Sequence, residues 1–207
     1  MDTIRMIARL HAAFWNETSK LASFEWLSPK DEVIPTEAKD AALQKWNEII
    51  DGMQPANNML TYRQIEHLMD KLEDILSLKK TFPKTLCHGD FHMENVLLSA
   101  DNSPVIADWQ EVRIACGPED ISFFLQRASA SGNPLSADTA IEVYTKTVNE
   151  LVENHLSVSS VREVIDAAKL HTMLIHWPHF LIGAPSDVIL GISLELKSAA
   201  GRLGYLA

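Results

Sequence analysis

Between Pro83 and Pro118 the helical period that governs the rest of the chain stops. In its place come three short apolar runs, at 86–88, 96–98 and 105–107, separated by turn-forming residues. Runs this short, bounded by such residues, read as strands rather than helices. The second and third flank Asp101, Asn102 and Ser103, whose side chains favour turns by bonding to nearby backbone. Residues 95–109 are therefore expected to form a β-hairpin. A chain with one small β patch inside a helical body must fold as a mainly α-helical α+β protein.

The flanks supply that body. Ile4, Ile7, Ala8, His11, Phe14 and Trp15 make one stripe of a helix over 3–16. An irregular stretch, 17–35, is broken by Pro29 and Pro35. Thr36, followed by Glu37, opens a helix to about residue 50, stopped by Gly52 and Pro55. One long helix is expected over 57–79, with Ile65, Leu68, Met69, Leu72, Ile75 and Leu76 buried. Beyond Pro118 the period predicts helices over 119–129, 137–154, 161–177 and 186–203.

The hairpin has a chemical consequence. Its expected tip lies midway between Asn95 and Asp108, so pairing about it sets these two side by side at the open end. Two hard oxygen donors then face one point, which suits Mg²⁺, an ion that takes few protein ligands and fills its shell with water and phosphate oxygens. Asp90 lies on the loop entering the hairpin, within reach of the same point. An Asp, an Asn five positions on and a later Asp match the catalytic loop and metal-holding Asp of kinase-type phosphotransferases. Taken singly, each has a plainer reading as turn residue, loop cap or strand end. Spacing, symmetry and residue type together favour the site.

His88 and His92 flank Asp90 and admit a zinc-hydrolase reading, but the other histidines supply no partner motif at a matching distance. His88 is expected to brace the loop by hydrogen bonding. His92 is open to two readings, a contact to phosphate or substrate, or no role. Pro118, Glu119 and Asp120 open a helix, with Asp120 either capping it or bonding back to the loop. The stretch 171–180, HTMLIHWPHF, reads either as a pocket wall or as ordinary packing.

Composition narrows the partners. A net charge of −10 without a basic cluster disfavours nucleic acid. No apolar run nears the roughly 18 residues of a membrane span. The amphipathic N-terminus is no secretory signal, and two cysteines form no disulfide framework, so a cytoplasmic location is expected.

With HGDFHMENVLL, IADWQ and GPEDISFF in view, the chain resembles the phosphotransferase family that includes aminoglycoside phosphotransferases and choline kinases. The opening IARLHAAFW is also similar to the first helix of that family's C-terminal lobe. The resemblance implies a protein-kinase-like fold, with Asp90 as catalytic base and Asn95 and Asp108 as Mg²⁺ ligands; together with the first reading of His92, this sets His92, Asn95 and Asp108 as the expected nucleotide-side residues. The family's N-terminal β lobe, with its glycine-rich phosphate loop, has no counterpart: only Gly52 precedes Gly89. The chain thus reads as one domain over 1–207, a C-terminal lobe, with the catalytic loop and metal hairpin at 86–110.

The expected function is ATP- (or GTP-) and Mg²⁺-dependent transfer of a γ-phosphoryl group to a hydroxyl of a small-molecule acceptor. The alternative is a non-catalytic remnant that binds a ligand or a protein. An exposed apolar cleft side would invite self-association, so a homodimer is among the expected states.

Overall fold

A computed structural model describes residues 1–27, 33–53 and 59–206. Pro29, Pro55 and the expected helix start at 57 lie outside the described residues. In chain order the elements are α1 (Asp2–Ala13), α2 (Thr18–Leu21), α3 (Thr36–Gly52), α4 (Tyr62–Asp70) and α5 (Leu72–Lys80). Then come β1 (Lys84–Cys87), β2 (Val96–Leu98), β3 (Pro104–Ile106) and β4 (Arg113–Cys116). Helices α6 (Pro118–Ala130), α7 (Ala137–Asn149), α8 (Val158–His171), α9 (Pro178–Leu181) and α10 (Ser186–Arg202) follow, with a π-helical turn at Thr172–His176. The chain is mainly helical with a small amount of strand, as expected for this α+β class. No described helix is long and apolar enough to cross a membrane.

Backbone contacts divide the chain into two compact units. The first comprises Met1–Asp31 and Thr81–Ile165. Its core joins Ile4, Ile7 and Ala8 of α1 to Ile141, Tyr144 and Val148 of α7, with Phe91, Ile121 and Phe124 in the same cluster. Helix α1 ends earlier than its apolar stripe suggests. Asn16 turns left-handed at φ 58° and its N–H donates to Lys84 O at 2.8 Å, which draws the chain toward β1. Asparagine tolerates that conformation better than most residues. Helix α7 stops at Asn149, not 154, because the Asn149 side chain binds both the N–H and the C=O of Leu156, at 2.8 and 2.9 Å.

This unit holds two nested antiparallel pairs, β1 with β4 and, between them in sequence, β2 with β3. Strand β4 has no place among the expected strands, and β1 ends at Cys87, so His88 belongs to the loop. Nesting brings the 88–95 and 107–112 loops to the same end of the two hairpins.

The hairpin register also differs from the symmetric one. Val96 pairs with Ile106 and Leu98 with Pro104. Ser99 N–H donates to Ser103 O and Asn102 N–H to Ser99 O, both at 2.9 Å, with Asn102 at φ 61°. The loop is thus the three residues 100–102, a tight turn followed by a left-handed residue. Its centre falls on Asp101. Asn95 therefore lies opposite Ala107, whose N–H donates to Asn95 O at 2.9 Å, and Asp108 lies one residue beyond.

The second unit comprises Glu32–Lys80 and Asp166–Ala207. Trp46, Ile50, Leu60, Leu68, Leu72, Leu174 and Leu196 form its core, and Trp46 Nε1 donates to Leu174 O at 3.1 Å. The long helix expected at 57–79 is interrupted at Lys71. A capping box between Thr61 and Gln64 starts α4. The interruption leaves Ile65, Leu68, Met69, Leu72, Ile75 and Leu76 all buried. Because the stripe stays in phase, periodicity alone reads one helix.

Candidate functional site

The loop after β1 is shaped by Gly89. Its φ is +87°, and a Cβ there would overlap Glu111 O and lie 2.7 Å from Arg113 Nη1. Only glycine fits both the left-handed backbone and the close approach. Arg113 Nη1 also donates to Gly89 O at 3.2 Å, which ties the loop to β4. Gly89→Ala is expected to cost about 2–3 kcal/mol from strain and displacement. That is roughly 4–12 °C in melting temperature for a chain of this size, measurable by calorimetry.

His88 is fully buried, and both its ring nitrogens are engaged. Nε2 lies 2.9 Å from Ala107 O, and the Asp90 N–H donates to Nδ1 at 3.3 Å. A carbonyl can only accept and an amide N–H only donate, so the ring is the tautomer protonated at Nε2. His88 thereby clamps the 88–95 loop to the 107–112 loop. It has no lone pair left for a metal, and the zinc reading loses its first ligand. Trp109 covers it, with ring centres 4.7 Å apart.

Asp90 projects from this clamp and is partly exposed. Asn95 Nδ2 donates to both Asp90 O, at 2.9 Å, and Asp90 Oδ2, at 3.2 Å. Those two bonds engage both amide hydrogens and turn Oδ1 to the other side. His92 Nε2 lies 3.4 Å from the same Oδ2, and its Nδ1 lies 3.4 Å from Glu94 Oε2. Phe91, wholly buried and stacked on Phe124 at 5.0 Å, anchors the loop between Asp90 and His92. The structure thus brings Asp90, His92 and Asn95 together, Asn95 by hydrogen bonds and His92 by close approach.

Asp108 belongs to the 107–112 loop. It is exposed, left-handed at φ 62°, and contacted by Gln110 Nε2 at 3.4 Å. A left-handed Asp just past Ala107, the last residue bonded across the hairpin, turns the chain out of the ladder and re-aims the side chain. Asn95 Oδ1 and the Asp108 carboxylate are hard oxygen donors at the open end of one hairpin, and solvent reaches Asp108. A few oxygen ligands with room for water is a donor set that fits Mg²⁺.

Beneath the loop lies an interaction that the sequence only half disclosed. Asp120, at the start of α6, accepts from the backbone N–H of His88 at 2.7 Å and of Gly89 at 2.9 Å. Of the two readings of Asp120, the bond back to the loop is the one observed. His11 Nε2 lies 3.1 Å from Asp120 Oδ2, and His11 Nδ1 lies 3.1 Å from the Tyr144 hydroxyl. All three side chains are buried. Burial pushes the Asp120 pKa up, but the hydrogen bond and attraction from His11, the charge of Arg113 and the Gly89 N–H outweigh it, so the carboxyl sits below its ordinary value. Gly117 makes room, since a Cβ there would overlap the Tyr144 hydroxyl and lie 2.5 Å from His11 Nδ1. His11, Asp120 and Cys87 offer three potential ligand atoms within 4.8 Å. The Asp120 oxygens and His11 nitrogens already have protein partners, so the cluster is complete as a brace. His11 carried no signal beyond its place on an apolar stripe.

Comparison with known proteins bears on family and fold. A model of the phosphotransferase enzyme family matches residues 2–144. No curated protein matches significantly. Among solved structures, the chain is similar to an aminoglycoside phosphotransferase from Alicyclobacillus acidocaldarius subsp. acidocaldarius DSM 446, at 14% identity and TM-score 0.54, over 99% of this chain and 63% of that one. It is similar to choline kinase LicA from Streptococcus pneumoniae, at 11% identity and TM-score 0.51, over 98% and 62%. A Plasmodium vivax ethanolamine kinase aligns at 12% identity and TM-score 0.52, over 92% and 56%. At these identities the likeness is one of fold. The chain spans between 56% and 63% of the length of these three structures.

Proposed function

Because this chain belongs to the phosphotransferase enzyme family, we propose that its 207 residues form one kinase-like C-terminal-lobe domain. In this reading it catalyses ATP- (or GTP-) dependent transfer of a γ-phosphoryl group to a hydroxyl of a small-molecule acceptor. One observation carries the reading: Asn95 and His92 converge on a single carboxylate oxygen of Asp90, at 3.2 and 3.4 Å. Asp90 is the base. Its carboxylate takes the acceptor hydroxyl proton as the new O–P bond forms and the bond from Pγ to the departing nucleoside diphosphate breaks. The proton then passes to solvent, which reaches Asp90.

Asn95 holds the Asp90 carboxylate in place with Nδ2, and its Oδ1, with the Asp108 carboxylate, is assigned to Mg²⁺. The ion supplies charge neutralisation on the transferring phosphoryl group. His92 is assigned to the phosphate side and steadies Asp90 from a buried position. The acceptor class is drawn from the aminoglycoside, choline and ethanolamine names of similar structures, all small molecules with a hydroxyl. The proposed location is the cytoplasm, where nucleoside triphosphates are available, with the two buried cysteines outside any disulfide.

Calorimetric titration of Mg²⁺-ATP into the 207-residue chain, with Asp108→Ala as control, tests the metal–nucleotide assignment. Saturable binding that is lost in Asp108→Ala is expected. Equal binding by both proteins would reject Asp108 as a ligand, and no binding by either would favour the non-catalytic reading of this chain.

A further inference from the structure

His11 stands in the last turn of α1 and is wholly buried. Its backbone and its ring are both held. Thr85 of β1 donates its hydroxyl to His11 O at 2.7 Å. On the ring, Nδ1 meets the Tyr144 hydroxyl of α7 at 3.1 Å, and Nε2 meets Asp120 Oδ2 at 3.1 Å. A carboxylate only accepts, so Nε2 carries a proton and donates it. Asp120 then divides its oxygens. Oδ2 takes the His88 N–H at 2.7 Å beside the bond from His11, and Oδ1 takes the Gly89 N–H at 2.9 Å. These are the two residues directly before Asp90, whose own N–H donates to His88 Nδ1 at 3.3 Å. A continuous hydrogen-bonded path thus runs from Tyr144 through His11, Asp120 and His88, all buried, to the backbone of Asp90.

From this path we infer that, with Asp90 as the base proposed above, His11 is the positioning residue of the Asp90 loop and acts through Asp120. Being fully buried, it meets no ligand; its work is to fix where the loop stands. Two effects give it that role. The first is directional. A carboxylate can rotate about its Cβ–Cγ bond, and the His11 donor on Oδ2 fixes the rotation at which both oxygens face consecutive N–H groups. The second is electrostatic. Burial pushes the Asp120 carboxyl up, and His11, by hydrogen bond and attraction, leads the groups that hold it down and keep it ionised. A neutral carboxyl would offer one of the two N–H groups a hydroxyl oxygen, a weaker acceptor than a charged one. Small shifts of the loop matter, because a reacting group misplaced by about 1 Å can cost about a hundredfold in rate.

Three substitutions in the full chain separate the atoms of His11. Gln sets an amide nitrogen near the place of Nε2, Asn sets one near that of Nδ1, and Leu supplies neither. His11→Gln is expected to keep most of the acceptor-dependent rate. His11→Asn and His11→Leu should each lower kcat by about 10–100-fold while moving either KM by less than about threefold. Amide hydrogen exchange on the same proteins reads the loop without any phosphoryl transfer. The His88 and Gly89 N–H groups should exchange at least about tenfold faster in the Asn and Leu variants, relative to amides of α7, and keep their protection in His11→Gln. The Asn and Gln variants decide the matter between them if His11→Leu fails to fold. Parent-like kcat and protection in His11→Asn overturn the role. So does an equal loss in His11→Gln and His11→Asn, or faster exchange spread evenly over α1 and α7, since either makes His11 a packing residue only. A parent chain without transfer activity counts against the proposed reaction, and the exchange pattern then judges His11 by itself.

Discussion

Asp90→Asn is expected to reduce acceptor-dependent phosphoryl transfer by about 10²–10⁴-fold, the range ascribed to a positioned general base. The substitution preserves size and the capacity to accept from Asn95 Nδ2, so the loop should keep its shape. It removes the negative charge and the basic oxygen, which are what the acceptor proton requires. Since Mg²⁺ is assigned to Asn95 Oδ1 and Asp108, nucleotide affinity should change little. The pattern sought is lower kcat with nearly constant nucleotide binding, read as nucleoside diphosphate release in the presence of a hydroxyl acceptor. Full activity in Asp90→Asn would remove Asp90 from the role of base. Loss of nucleotide binding in step with activity would make Asp90 a ligand instead.

The placement of Asp90 shows how much of such a site can be read from residues alone. The order Asp90, Asn95, Asp108 and the presence of a hairpin were legible, because turn chemistry and short apolar runs are local signals. Register was not. A symmetric tip predicts Asn95 opposite Asp108, but Asn102 takes the left-handed conformation and sets a loop of 100–102, moving the pairing by one residue. In a strand pair that single step changes which side chains are neighbours. Strand β4 escaped notice for a related reason. Its partner β1 lies 26 residues earlier in register, counted from Cys87 to Arg113, and such a pairing leaves no local mark. The π turn is likewise silent, because Met173 and Leu174 remain buried and the apolar rhythm persists through it. The brace under the loop was legible at one end. Asp120 sits in a recognisable helix entry, whereas His11 reads only as one member of an apolar stripe, and its pairing across 109 residues is a product of the fold.

That brace carries the largest stability effect expected of any single side chain here. Asp120→Ala removes the acceptor from two backbone N–H groups and from His11 at once, all in a buried place. Leaving such groups without partners is expected to cost about 3–5 kcal/mol, a fall in melting temperature of the order of 10 °C for a chain of this size. The effect has a pH signature with a definite sign. The folded-state pKa of Asp120 lies below its ordinary value. The ionised carboxylate therefore contributes stability that is fully present above the unfolded-state pKa of about 3.9, and is lost as pH falls through the lower folded value. Between about pH 5 and 8 the stability gap between the parent and Asp120→Ala should be constant as far as this group is concerned, and below about pH 4 it should narrow. Denaturant unfolding of both proteins across that range measures it. A gap that stays constant through the acid range would mean that Asp120 holds the loop without its charge, and the brace would then be a matter of shape alone.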